Sequence, residues 1–266
     1  MRAVNQPESW WGWHGWDQPQ PMTIVEIMQA GTLPPRLAAA FWLGFERGAS
    51  FIFAADPPGA GKTTLLSSLL PFARPETVVY FTRGWGETFE LPPPSDAYPT
   101  YMMVNEISDH LPVYSWGPYV VRIFELLAEG YALCSTLHAD TVEAVIDQLV
   151  ADVSVDRAHV GELTFVVPLA VDRRDGRTLR RVRDVGLPDA EGVRSIATWD
   201  ERADAFSVLD DTADCAALAQ RLGMSGDEFD AALARREQAL ARLVADADAG
   251  DAALDRAIES VRRAEG

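Results

Sequence analysis

Phe51-Ile-Phe-Ala-Ala55-Asp56-Pro-Pro-Gly59-Ala60-Gly61-Lys62-Thr63-Thr64-Leu-Leu-Ser-Ser-Leu-Leu70 runs from an apolar stretch through a glycine-rich loop into leucines at helical spacing. The apolar stretch is short enough for a buried strand, and the leucine-rich part reads as a helix over Thr63 to Leu70, ended by Pro71. Lys62 is the only lysine in the chain; every other basic side chain is an arginine. A strand, a glycine-rich loop and a helix opening on Gly-Lys-Thr are the setting of the phosphate-binding pattern G-x-x-x-x-G-K-[ST].

The physical case for phosphate binding rests on the helix start. Amide groups from Ala60 to Thr63 point out of an opening helix, where the dipole favours negative charge. Candidate nucleotide-binding residues are therefore Gly59, Ala60, Gly61, Lys62, Thr63 and Thr64. Lys62 would reach the β- and γ-phosphates of ATP, and the Thr63 hydroxyl would ligate Mg²⁺. One position departs from the pattern, because Asp56 stands where the first glycine is usual. Aspartate tolerates a left-handed backbone better than most residues, at some cost. Pro57 and Pro58 lack amide hydrogens, but the donors that matter lie downstream of both.

Further apolar runs, Thr77–Phe81, Tyr101–Val104 and Tyr131–Cys134, alternate with helical patterns over Tyr119–Leu127 and Val142–Leu149. This alternation predicts an α/β fold with a parallel sheet and helices on both faces. Ahead of the loop, Thr23-Ile-Val-Glu26 reads as a capping box, and Leu37–Arg47 reads as a helix closed by Gly48. Beyond Gly161 the pattern changes: Leu163–Val171 and Leu179–Val185 flank Asp175-Gly176, a hairpin signal. Val193–Trp199 reads as one more strand. From about Asp211 the chain turns alanine- and leucine-rich with helical spacing, and Ser225-Gly-Asp-Glu228 caps one helix.

Three stretches result: an irregular tryptophan-rich arm over 1–20, an ATPase-type α/β domain over 21–205 with a hairpin extension from about 160, and a small C-terminal helical appendage over 206–266. Trp10, Trp11, Trp13 and Trp16 crowd the arm without helical or strand period, so these indoles are expected to pack on the body or on a partner. The charges of the appendage read as a solvated face, and its apolar stripe as packing or as a seat for a partner helix.

Carboxylates and a histidine fall where the sheet would converge on the loop. Glu106 ends the strand Tyr101–Val104, the place where a carboxylate can hold the Mg²⁺ shell or polarise an attacking water. His138 follows the next strand at the same edge, within reach of a γ-phosphate or its water. Glu87 and Glu90 follow the strand Thr77–Phe81 and either serve there or act as loop carboxylates. Catalytic candidates are thus Glu106, His138, Glu87 and Glu90; candidate metal-holding residues are Thr63 and Glu106, directly or through water.

Taken together, Gly-Ala-Gly-Lys-Thr-Thr64, Met-Met-Val-Asn-Glu106-Ile-Ser-Asp109 and Cys-Ser-Thr-Leu-His138-Ala-Asp-Thr-Val-Glu-Ala-Val-Ile146 resemble the Walker A, Walker B and His-box motifs of the type II/type IV secretion ATPases. That family comprises the motors of pili, archaeal flagella and DNA-transfer systems. Thr23-Ile-Val-Glu-Ile-Met-Gln-Ala-Gly-Thr32 and Thr198-Trp-Asp200 resemble its archaeal branch, and the likeness extends from about Pro21 to Phe206. The resemblance implies a RecA-like core, ATP with Mg²⁺, and a catalytic Glu106. It also implies His138 as γ-phosphate sensor and an acidic box near Glu87–Glu90. The partners it implies are a homo-hexameric ring or a hetero-oligomer with a full-length paralogue, beside a membrane platform protein. Departures are Asp56, Asn105 and Ser108, which replace a glycine, a glycine and an arginine, and Tyr131 in place of a histidine. Only about fifty residues precede the loop, so the family's N-terminal domain, which lends arginines to the pocket, is expected to be nearly absent. Weak hydrolysis follows, or a non-catalytic regulatory or scaffolding subunit.

The 266 residues carry 40 acidic against 23 basic side chains, a net charge of −17. Such a surface repels nucleic-acid phosphate, which argues against a DNA-handling motor, as does the lack of a basic stripe. No arginine-rich lid of a small-molecule kinase follows the loop helix. The acidic, lysine-poor, alanine-rich composition fits a halophile or a GC-rich genome. Cys134 and Cys215 form no disulfide framework or metal spacing, and Cys134 reads as a small core residue. With no secretory leader and no run near the ~20 apolar residues a membrane span needs, a cytoplasmic chain is expected, peripheral to the inner face of the membrane if it serves the implied machine.

Overall fold

The fold is organised around the strand that feeds the glycine loop. In the computed structural model, which describes residues 1–5, 22–95, 97–174 and 176–265, ten strands form the sheet. They are β1 (Arg2–Val4), β2 (Phe51–Ala54), β3 (Val78–Phe81), β4 (Thr100–Met103), β5 (Ala132–Leu137), β6 (Phe165–Arg174), β7 (Arg177–Val182), β8 (Asp184–Pro188), β9 (Val193–Asp200) and β10 (Ala205–Val208). Their order is β1-β3-β4-β5-β2-β6-β8-β9-β10, with β7 paired to β6. From β1 to β6 all neighbours run parallel, and β8, β9 and β10 add antiparallel strands. β2 sits between β5 and β6, so the loop it feeds emerges from the middle of the sheet, and the chain has a mixed α/β fold with a mostly parallel central sheet.

Alternation along each strand divides the core in two. Phe51, Phe53, Tyr101, Met103 and Phe165 face one layer, whereas Ile52, Ala54, Met102, Leu133 and Val166 face the other. A period of two along buried parallel strands requires apolar residues on both faces. The second layer is made by helices Pro118–Ala128 and Val142–Asp147. The first contains helix Pro35–Glu46, in which all residues from Leu37 onward are buried, and the loop helix Lys62–Ser68. Phe41 packs edge-on against Phe51, Phe53 and Phe165, with centroids 5.3–6.1 Å apart.

The C-terminal helices Thr212–Arg221, Gly226–Ala245 and Asp251–Glu265 join the first layer. Their charges are not all solvated, contrary to expectation. Arg236 is buried, reaches Glu46 at 2.6 Å and stands 5.2 Å over the Trp42 ring. Arg262 reaches the other Glu46 oxygen at 2.8 Å. A buried carboxylate between two guanidiniums ties these helices to helix Pro35–Glu46.

Three local readings need correction. Residues 2–4, expected to be irregular, form an edge strand parallel to β3, because three residues are too few to show a period. The expected hairpin is not a separate extension. The first half of β6 pairs with β2 inside the main sheet, and only Leu169–Arg174 pairs with β7. The strand before His138 continues through Leu137. The capping boxes at Thr23 and Ser225 both form, and the tryptophans of the arm lie outside the described residues.

Candidate nucleotide site

Strand ends β2, β4 and β5 bring the loop, Glu106 and His138 to one edge. Gly59 and Gly61 carry the unusual backbone angles, φ +75° and +96°, and Gly61 caps the loop helix in a left-handed conformation. Asp56 is not among the positive-φ residues. The left-handed angle expected there does not occur, and the missing glycine costs no backbone strain. Instead Asp56 N–H donates to Asp140 Oδ1 at 3.1 Å, which pins the start of the loop to the turn after β5.

Leu65 N–H is the first amide of the helix to bond back, to Gly61 O at 2.8 Å. Among the described residues, the amides from Gly59 to Thr64 donate to no protein group. Six consecutive donors without partners beside a lysine form a cradle for an anion.

Lys62 is buried, and its ammonium donates to Ala55 O at 2.8 Å and lies 3.2 Å from His138 Nδ1. Burial pushes its pKa down, partly offset by the nearby charges of Glu106, Asp56 and Asp140. His138 Nε2 lies 3.3 Å from Glu106 Oε1. His138 Nδ1 is also 3.2 Å from Asp56 O, so its two neighbours require opposite roles of one nitrogen. With an ammonium beside it, Nδ1 serves as acceptor from Lys62, which leaves Nε2–H to donate to Glu106, and leaves Asp56 O without a proton from this ring. Thr136 Oγ1 donates to Asn105 O at 3.0 Å, next to Glu106. Asn105 Oδ1 is buried without a partner among the described residues.

A cavity of about 450 Å³ is lined by Lys62, Thr63, Glu106 and His138, with Leu111 and Tyr114 also on its wall. Tyr114 is pushed up to about 12 by burial and by the charge of Glu106. Glu87 and Glu90 do not line it. Glu87 is buried in its own loop, where its oxygens accept from Tyr80 Oη at 2.7 Å, Arg83 N–H at 2.7 Å and Phe89 N–H at 2.8 Å. It is a loop carboxylate, and Glu90 is exposed.

Three residues at this edge went unseen in the sequence. His110, with its ring centroid 6.1 Å from that of His138, and Tyr114 come from the loop after Glu106. Arg180 comes from β7, and its Nε donates to Gly59 O at 2.9 Å. The closeness of His110 and Tyr114 to Glu106 in the chain was a usable signal; nothing local marks Arg180.

Fold and loop together define the class, an α/β protein whose central parallel strand runs into a Gly-Ala-Gly-Lys-Thr loop at the start of a helix. No protein-family model matches the chain. Uncharacterized protein MJ0900 of Methanocaldococcus jannaschii is 27% identical over 202 residues, which cover 65% of this chain and 34% of that protein. Uncharacterized protein MJ1287 of the same organism is 22% identical over 239 residues, 77% of this chain and 85% of that one. Among solved structures, the Legionella pneumophila ATPase DotB is similar with a TM-score of 0.43 and 13% identity, over 82% of this chain and 58% of DotB. The chain thus spans about a third of the length of MJ0900.

Proposed function

We propose that the chain binds ATP with Mg²⁺ at Gly59–Thr64 and hydrolyses it slowly, as the ATPase module of a pilus, flagellum or secretion machine. The observation that carries the nucleotide reading is the row of unpartnered amides beside Lys62, facing Glu106 and His138 across one cavity. The donor set fits the groups: amides and an ammonium for phosphate oxygens, a hydroxyl and a carboxylate for a hard cation. The machine rests on the motif resemblance alone. So do a homo-hexamer or a hetero-oligomer with a full-length paralogue, a membrane platform partner and a place at the inner face of the membrane. Among the described residues, no helix is long and apolar enough to cross a membrane. The charge of −17 supports a chain without direct nucleic-acid contact.

Lys62 and the amides of Gly59–Thr64 would hold the phosphates, and Thr63 with Glu106 would hold Mg²⁺. That ion, when bound, supplies neutralising charge to the β- and γ-phosphates. Glu106 orients a water and accepts its proton, and His138 fixes the carboxylate through Nε2–H. The Lys62 ammonium bonds Ala55 O and stands beside the His138 ring, which leaves its third N–H for a phosphate oxygen.

A second reading is a regulatory subunit that binds nucleotide without turnover. The departures from the motif at Asp56 and Ser108 favour it. Turnover of Mg²⁺-ATP in high salt, by the chain alone and with a full-length relative, separates the two. Slow turnover supports the first reading; binding without turnover in either mixture supports the second.

A further inference from the structure

The glycine loop has two sides, and they differ in chemistry. One is the cavity with Lys62, Glu106 and His138. On the other, Gly59, Ala60, Gly61 and Thr64 border a second cavity of about 240 Å³. Its walls are Met22, Ile27, Leu65 and Leu169, and Arg180 and Thr178 of β7 complete it. Among the described residues, no carboxylate lines it.

Arg180 is placed there by the hairpin. Leu179 pairs with Asp172 and Arg181 with Ala170 across β6 and β7, so the register sets where residue 180 falls. Arg180 Nε donates to Gly59 O at 2.9 Å, and its Cδ would stand 3.4 Å from a β-carbon on Gly61. Its terminal nitrogens bond no group among the described residues. The neighbouring arginines have other work. Arg181 is paired with Asp204 at 2.8 Å, and Arg183 reaches Asp140 O at 3.4 Å. Among the described residues lining this cavity, Arg180 is therefore the arginine whose planar cation can meet a ligand at the loop.

The geometry points to this second cavity as the seat of the nucleoside half of the ligand, with the Arg180 guanidinium lying against the base. Apolar walls on one side and a planar cation on the other suit a flat aromatic ring, which an arginine holds through cation–π and stacking attraction. A ligand lying across Gly59–Gly61 would then place its ring beside Arg180 and its phosphates beside Lys62. The hairpin thereby acts in cis, holding the loop through Gly59 O and the ring through the guanidinium face. This inference rests on the nucleotide reading and adds to it a specificity-determining residue outside the loop.

The test compares Mg²⁺-ATP with inorganic tripolyphosphate, which has the phosphates but no ring, on the full chain by titration calorimetry. Arg180→Ala is expected to weaken ATP by about tenfold and tripolyphosphate by clearly less, the part due to its bond to Gly59 O. Arg180→Lys, which keeps the charge but not the plane, is expected to fall between. Lys62→Ala is expected to weaken both ligands. Arg180 is exposed, so a thermal melt should match the wild type. If Arg180→Ala binds ATP as the wild type does, or loses tripolyphosphate as strongly as ATP, the inference is overturned. If the wild type binds neither ligand, the nucleotide reading itself fails and takes this inference with it.

Discussion

His138 Nε2 stands 3.3 Å from Glu106 Oε1, while the other nitrogen of the same ring stands 3.2 Å from Lys62 Nζ. One imidazole therefore joins the residue expected to hold phosphate to the residue expected to activate water. Each end of the relay comes from a different strand, β2, β4 or β5, and the parallel register brings the three ends to one edge.

Glu106→Gln removes the charge and keeps the shape. It should lower ATP turnover by about 10²–10⁴-fold and weaken Mg²⁺-ATP far less, since Lys62 and the loop amides still hold the phosphates although the Mg²⁺ loses a carboxylate. Steady-state hydrolysis together with equilibrium binding reads both quantities. An equal loss of affinity would move Glu106 from chemistry to binding.

Asp56→Gly should tighten Mg²⁺-ATP by a few-fold. The aspartate carries a negative charge beside the cradle, and its backbone angle is one that glycine also adopts. The Asp56 N–H bond to Asp140 survives the change, because it is a backbone bond. Weaker binding would mean that the carboxylate has a positive role in holding the loop.

Glu46→Ala should destabilise the fold by about 3–5 kcal/mol, because it leaves Arg236 buried without its 2.6 Å partner. Denaturant unfolding measures this. Glu265, 2.6 Å from Arg236 on its other side, limits the loss. A change below about 1 kcal/mol would show that Glu265 alone suffices.

Alkaline conditions should weaken the fold. Burial raises the phenol pKa of Tyr101, whose hydroxyl lies 2.9 Å from Phe45 O and 3.0 Å from Ala49 O, and burial with Glu106 raises Tyr114 to about 12. A group with a raised folded pKa adds stability that is complete below its unfolded value, about 10 for tyrosine. That stability is lost as pH rises through the folded value. Unfolding free energy should therefore fall between pH 10 and pH 12, and Tyr101→Phe with Tyr114→Phe should flatten the fall.

Much of this was legible in the chain. Phe51–Ala55 followed by Gly-Ala-Gly-Lys announced a strand and a phosphate loop, since few other folds place glycines and a lone lysine there. Thr23 and Ser225 announced their caps through a glutamate three residues on. Glu106 and His138 were legible as strand-end residues because parallel strands of like length converge at one edge. What stayed hidden depends on distant pairing. The sequence left Glu87 open between a site residue and a loop carboxylate, and only the structure shows it bonded by Tyr80 and two amides. Arg180 is one arginine among several in its strand, and only the β6–β7 register selects it. Arg236 looked like a surface charge of an amphipathic helix until Glu46, far away in the chain, met it.

The most direct measurement is titration of Mg²⁺-ATP into the wild type and into Lys62→Ala, each shown to be folded, in high salt. Saturable binding by the wild type that Lys62→Ala loses is the predicted result. No binding by the wild type, or equal binding by both, would contradict a nucleotide site at Gly59–Thr64.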